Sequence, residues 1–449
     1  MPLDPVIHSP LRVAFRVLVT ITLVASFTLL APVAAVAAAP TYLVEDLGTL
    51  SGDATSVAMG INATGQVVGW SGSVATRAFV FTDGAGMVAL TAPAGRPVTT
   101  ARAINDSGAV AGNASTGGSD IGQAVRWTGG VPEALGTLGT GLSSDARSIN
   151  AAGVTVGSSY TDGGGLLGIH AFRTRPDGSL FDLTPVTDTA RAEGINDAGQ
   201  IAGYRNGRAV RWEGGSVLDL GTAGFGFSFA SAINDSGQVA GSVSSSSGNV
   251  ERIFRYTDGI GMVVLGGLGE HNVALGMNAA GDVVGSGRPT LGTTVFPSAF
   301  LFTDEGGMVD LNTLIDPASG WVLKGAGDIN DEGQIAAWGS NNLTGTYRAL
   351  RLTPVVADTT APSVRFAYPS DGIVVSGAVK VKIVAGDDVA VRRVALQIDG
   401  VVTCSTTSTV LSCAWRTRRS TVGSHTLTAV AIDTSGNRTT RSIVVTVQR

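Results

Sequence analysis

The sequence predicts an all-β chain: a seven-bladed β-propeller closed by an N-terminal strand, followed by a smaller β-sandwich. Three observations carry this. One short motif recurs seven times, short alternating runs follow each copy, and no sustained helical spacing occurs after the first 40 residues. The composition agrees, since 62 glycines among many Val, Ile and Thr runs fit short strands joined by many turns.

The N-terminal segment stands apart from this pattern. Arg12 and Arg16 precede an uncharged run from Val17 to Pro40 that ends in the small residues "AVAAAP". Residues 1–39 therefore read as a secretory signal peptide, cleaved among Ala35 to Ala39. The alternative is a retained anchor, because roughly 20 apolar residues span a bilayer. Pro32 and the small-residue end favour cleavage. No second hydrophobic span follows, so no membrane span is expected after cleavage. The remainder is expected to be secreted or held at the cell surface.

The motif reads "INATGQVVG" at Ile61, "INDSGAVAG" at Ile104, "INAAGVTVG" at Ile149 and "INDAGQIAG" at Ile195. It continues as "INDSGQVAG" at Ile233, "MNAAGDVVG" at Met277 and "INDEGQIAA" at Ile329. Each copy pairs an Asn with a Gly three residues later: Asn62 and Gly65, Asn105 and Gly108, Asn150 and Gly153, Asn196 and Gly199. The later pairs are Asn234 and Gly237, Asn278 and Gly281, and Asn330 and Gly333. The intervening two residues vary. A hairpin turn needs this pattern: Asn bonds nearby backbone amides, and Gly supplies positive φ.

A second run follows each motif after a variable loop, such as "RAFVF" at Arg77, "HAFRT" at His170 and "RAVRW" at Arg208. Six copies add a third run, such as "MVALT" at Met87 and "MVDLN" at Met308. Each unit thus supplies four strands at a spacing of 38 to 52 residues, which is blade-like and too irregular for a β-solenoid. The seventh unit stops at "RALRLTP" and lacks its fourth strand. The strand near Tyr42 to Leu47, "YLVEDL", resembles the missing one and is expected to close the ring.

Residues 41–352, within a propeller domain expected over 41–355, resemble the bacterial extracellular HAF-repeat family. The resemblance rests on "DLGTLSGDATSVAMGINATGQVVGW" from Asp46 to Trp70, "LGTLGTGLSSDARSIN" from Leu135, "LGGLGEHNVALGMN" from Leu265 and "HAF" at His170 to Phe172. It is specific as a repeat pattern and says little about activity. The first position of "HAF" varies among Arg, Gln, His and Ser, which argues against a His-dependent chemistry shared by every blade.

Residues 358–449 look like a bacterial immunoglobulin-like domain, on "DTTAPSV", "DDVAVRRVALQIDG" and the "AIDTSGN" turn. Cys404 and Cys413 are expected to form a disulfide that clips a hairpin. Residues 41–357 carry 17 basic and 28 acidic side chains, and residues 358–449 carry 11 and 6. No nucleic-acid partner is expected of this acidic array. The tail arginines read as solubility charge.

Chemistry-bearing motifs are scarce. There is no G-x-S-x-G and no H-E-x-x-H, and His170, His271 and His425 form no recognisable triad or metal pattern. No catalytic residue and no cofactor are assigned. A cation loop needs oxygen ligands at alternate positions. Only the last motif places them, as Asp328, Asn330 and Glu332, so repeated metal binding is not expected and this loop is the one candidate.

Binding is expected instead on the variable connections between units, where Phe225, Phe227, Trp321 and Lys324 are the candidates. Core packing is expected for the Phe225, Phe227, Phe229 stripe and for Trp321. The expected role is non-catalytic recognition of a glycan or protein at the cell surface. The alternatives are an extracellular polysaccharide hydrolase or lyase with a carboxylate site, and a structural surface protein with no discrete ligand. The sequence does not fix the oligomeric state.

Overall fold

Each motif ends the innermost strand of a four-stranded antiparallel blade. The computed structural model describes residues 41–449 except 119, 121, 162–167, 185–186, 289–296 and 356–357. The signal-peptide reading lies outside the described residues. The inner strands of blades 1 to 7 are Ser56–Ile61, Val98–Ile104, Ser143–Ile149, Ala190–Ile195, Phe227–Ile233, His271–Met277 and Trp321–Ile329. In blades 1 to 6 the following three strands pair in chain order. Among the described residues no helix is long and apolar enough to cross a membrane.

The ring closes as expected. Thr41–Asp46 is the outermost strand of blade 7 and pairs antiparallel with Thr346–Val355, from Thr41 opposite Val355 to Asp46 opposite Leu350. Tyr42 is buried in the core between blades 6 and 7. The edge of the last blade is thereby covered by the chain's own strand.

The motif is a turn. In blade 4 the Gly199 N–H donates to Asn196 O at 3.0 Å, and the Asn196 N–H donates to Gln200 O at 3.1 Å. Gly199 has φ +79°, a conformation that disfavours any residue with a Cβ. Ile195, Ile201 and Val210 are buried.

The same asparagines also join the blades. Each side-chain oxygen accepts a bond inside its own turn, as from the Gln200 N–H at 2.8 Å. Each Nδ2 donates to the backbone carbonyl of the next motif's Asn. The bonds run from Asn62 to Asn105, Asn105 to Asn150, Asn150 to Asn196, and Asn196 to Asn234. They continue to Asn278 and Asn330, and return from Asn330 to Asn62. Seven buried amides thus make a closed circle of hydrogen bonds.

Further ties cross four of the seams. Arg126, Arg211, Arg255 and Arg351, at matching positions of the third strands, donate to the carbonyls of Gly153, Gly237, Gly281 and Gly65 in the following blade. The apolar residues form seven clusters, one between each pair of neighbouring blades, rather than one central core. An example is the cluster of Ala58, Phe79, Ala336 and Ala349 between blades 7 and 1. This leaves the axis of the ring open.

The tail is a two-sheet sandwich. Ser363–Tyr368, Ala378–Gly386 and Val410–Arg416 form one sheet. Val374–Val375, Arg438–Val447, Gly423–Asp433, Val391–Ile398 and Val401–Thr406 form the other. Its core includes Val381, Ile383, Leu396, Leu427 and Trp415. The Cys404–Cys413 disulfide is present, but the expected hairpin is not. Cys404 lies in the five-stranded sheet and Cys413 in the three-stranded one, so the bond joins the two sheets. The chain arches between sheets at this point instead of folding back beside itself.

Candidate functional site: the central channel

Every inner strand breaks its pairing register two to four residues before the motif Asn, for instance between Ala146 and Ser148 and between Ala192 and Gly194. A bulge of this kind re-aims one side chain per strand. The bulged residues are Met59, Arg102, Arg147, Glu193, Ser231, Leu275 and Gly327, and all seven line one cavity of about 270 Å³ on the ring axis. A second cavity of about 200 Å³ lies on the motif side and is lined by Asn105, Asn150, Asn196, Asn234 and Asn278. Ile149, Ile195, Ile233 and Met277 border both, and so form an apolar collar between them.

The first cavity is two-sided. Blades 2 to 4 give it charge. Arg102 Nε donates to Asp145 Oδ1 at 3.2 Å, and Arg147 Nε lies 2.8 Å from Asp145 Oδ2 and 3.7 Å from Glu193 Oε2. The 2.8 Å approach lacks hydrogen-bond alignment, and Arg147 Nε remains without a hydrogen bond. Arg191 Nε is also buried and unpartnered, while its Nη2 donates to Tyr160 Oη at 3.4 Å. Three guanidinium groups thus face two carboxylates.

Enclosure sets the protonation here. Burial pushes the Glu193 carboxyl above its ordinary value, against the pull of Arg147 and Arg191. Burial opposes the charge of Arg147, but Glu193 and Asp145 outweigh it and hold its pKa up. Burial also raises the Tyr204 phenol. The opposite wall, from blades 5, 6 and 1, brings Ser231, Leu275 and Met59. Phe229 stands two residues before Ser231 and meets Tyr204 edge-on, with ring centroids 5.2 Å apart. Tyr204 in turn sits opposite Arg191 in the blade 4 ladder.

Asp328 is the unusual residue of the channel. At its position in the repeat the other blades have Gly60, Ala103, Ser148, Gly194, Ala232 and Gly276. Its carboxylate accepts from Ile329 N–H at 2.9 Å and Ile61 N–H at 3.3 Å, and so bridges blades 7 and 1. Ser148 makes the equivalent bond to Ile195 N–H. A Cβ on Gly276 would stand 2.5 Å from Asp328 Cα, so the neighbouring glycine makes room for it. Asp328 keeps some contact with channel water, yet protein surrounds it, and this enclosure lifts its pKa to about 7.

The sequence-predicted cation ligands do not act as a set. Asp328 is bound to two backbone amides. Asn330 accepts from Gln334 N–H and donates to Asn62 O and Gln334 Oε1. Glu332 is exposed at the turn. The loop is built as a turn and a blade seam.

The four candidate binding residues do not form one patch. Phe227 and Phe229 stay 43% and 37% exposed at the start of the blade 5 inner strand, contrary to the core fate expected of the stripe. Phe225 does pack partly against the core between blades 4 and 5. Trp321 packs against the core between blades 6 and 7, as expected. Lys324 sits with Trp338, Arg288 and Tyr347 between blades 6 and 7. Sequence reasoning missed the channel residues. Their signal was present: three places before the invariant Asn, the seven copies read Met, Arg, Arg, Glu, Ser, Leu and Gly.

Acidic residues do gather at the motif-side mouth, where Asp106, Asp197, Asp235 and Asp331 line the smaller cavity. Each accepts a backbone N–H from the preceding motif, from Ala63, Ala151, Asp197 and Ala279 respectively. They are seam residues. His170 pairs with Asp182 at 2.7 Å on the third strand of blade 3, away from the inner strand.

Residues 362–429 match a sequence family described as Bacterial Ig domain. No curated protein matches the chain. Among solved structures, the chain is similar to the extracellular domain of the hybrid two component system BT3049 from B. thetaiotaomicron. That match has 12% identity and a TM-score of 0.41, and covers 92% of this chain and 58% of that one. The BT4673 extracellular domain from the same organism matches at 8% identity and a TM-score of 0.39, with 92% and 58% covered. The CbhA fibronectin(III)-like modules of Clostridium thermocellum match at 23% identity and a TM-score of 0.18, covering 19% of this chain and 97% of theirs. The chain thus spans little more than half the length of the two extracellular domains.

Proposed function

We propose that the protein is an extracellular, non-catalytic binding protein whose propeller channel recognises an acidic glycan. The carrying observation is that Arg102 and Arg147 line the cavity, while Arg191, Tyr204 and Phe229 stand on the neighbouring strand positions outside its lining. Guanidinium groups recognise carboxylates through charge-assisted bonds, and aromatic faces suit the apolar side of a sugar ring. The cavity, about 270 Å³, lies at the small end of ligand sites, which fits one sugar unit or a chain terminus better than a protein surface. The extracellular assignment is supported by the signal-like N-terminus, the Cys404–Cys413 disulfide and the Bacterial Ig match. The HAF-like repeats supply the frame.

Calorimetric titration with uronate-bearing and matched neutral oligosaccharides tests this reading. Binding is expected for the acidic series, with losses of about tenfold or more in each of Arg147→Ala and Arg191→Ala. Lys324→Ala should bind as the parent does. Equal binding of both series, or unchanged affinity in both arginine variants, would overturn it.

The hydrolase or lyase reading keeps one supporting observation: Glu193 and Asp328, both with raised pKa values, line the same cavity. Turnover of an acidic polysaccharide that is abolished in Asp328→Asn would favour it over simple binding.

A further inference from the structure

We propose that the tail domain carries a calcium site formed by Asp358, Asp387 and Asp433. The three residues come from separate places in the fold. Asp358 precedes the first tail strand, Asp387 follows Ala378–Gly386, and Asp433 ends Gly423–Asp433. One carboxylate oxygen from each lies within 4.8 Å of the others.

The way each carboxylate is held distinguishes this group from a chance acidic cluster. In each case one oxygen is fixed by backbone. Asp358 Oδ1 accepts from Thr360 N–H at 2.9 Å. Asp387 Oδ2 accepts from Val389 and Ala390 N–H at 3.0 and 2.8 Å. Asp433 Oδ1 accepts from Asn437 N–H at 2.8 Å. The other oxygen of each, Asp358 Oδ2, Asp387 Oδ1 and Asp433 Oδ2, is buried with no hydrogen-bond partner among the described residues. Asp433 as a whole has 0% exposure.

Three clustered carboxylates, each with one buried and unpartnered oxygen, repel one another, and a buried charge needs a partner. No Lys, Arg or His forms an ion pair with any of them among the described residues. Asn437 Nδ2 donates to Asp358 O at 2.7 Å and so ties the first tail residues to the same corner. An all-oxygen, anionic ligand set suits a hard divalent cation. It suits Ca²⁺ better than Mg²⁺, which demands tighter octahedral geometry and retains its waters. The bound cation would clamp the start of the sandwich to two of its loops.

The test is calcium titration of the purified chain by calorimetry and by thermal melting in chelator, in CaCl₂ and in MgCl₂. The tail transition is expected to rise with the logarithm of calcium concentration, with a smaller response to magnesium. Asp387→Asn and Asp433→Asn should each lower calcium affinity about tenfold or more. In chelator both variants should melt no lower than the parent, because each removes one repelling charge. That comparison separates loss of the site from failure to fold. The proposal is overturned if millimolar calcium gives neither heat nor a melting shift in the parent. It is equally overturned if both variants, folded in chelator, respond to calcium as the parent does.

Discussion

Asp328 makes folding stability depend on pH in a direction opposite to most carboxylates. A salt-bridged acid has a lowered pKa and loses its contribution as pH falls. Asp328 has its pKa raised to about 7, so between the ordinary carboxylate range and neutrality the folded chain binds more protons than the unfolded one. Its effect on stability therefore becomes more unfavourable as pH rises through that window. The propeller's melting temperature, less that of Asp328→Asn, should fall between about pH 4 and pH 7 and level off above it. A difference independent of pH would show that the carboxyl titrates normally. Asn at this position retains an acceptor for one of the two amides of Ile61 and Ile329.

At the scale of the element, the motif turn does two jobs with one side chain. Asn196 orders its own hairpin through Oδ1 and holds the next blade through Nδ2. Asn196→Ala should cost about 2–3 kcal/mol, since it strands buried groups on both sides, as read by denaturant unfolding. Asn196→Asp keeps the acceptor and loses the donor, and should recover part of the loss. The turn half of this was legible in the sequence, because a local i to i+3 pattern of Asn and Gly describes it completely. The inter-blade half was not, because Asn234 lies 38 residues away and only the ring places its carbonyl beside Asn196. The channel was hidden for a related reason. Period-two alternation does not say which residue a bulge will turn inward, so Arg147 and Glu193 read as ordinary strand residues. The disulfide follows the same division. Two cysteines so close in sequence point to a bond, but whether their strands share a sheet depends on the arch between them. Asp358, Asp387 and Asp433 meet only once three loops are placed.

Across the whole molecule, stability is distributed around a circle. Seven inter-blade cores and a closed circuit of Asn bonds leave no terminal repeat, provided that the seam between Thr41–Asp46 and Thr346–Val355 holds. Arg351 is central to that seam, donating to Glu45, to Asp83 and to Gly65 O. Deleting residues 41–46 removes the buried Tyr42 and the Glu45 partner together. It should cost at least about 3 kcal/mol and expose a strand edge. A lower melting temperature and self-association in size-exclusion chromatography are expected, with partial recovery on adding a peptide of residues 41–47. The seam also decides how the protein responds to force. Thr41 lies opposite Val355, so both ends of the propeller leave from the same end of one strand pair. Pulling on the N-terminus against the tail would open that pair like a zip, one bond at a time, rather than shear all its bonds at once. A chain tethered through the tail alone bears no load there. The side on which this protein is held therefore determines whether tension can unlatch the ring.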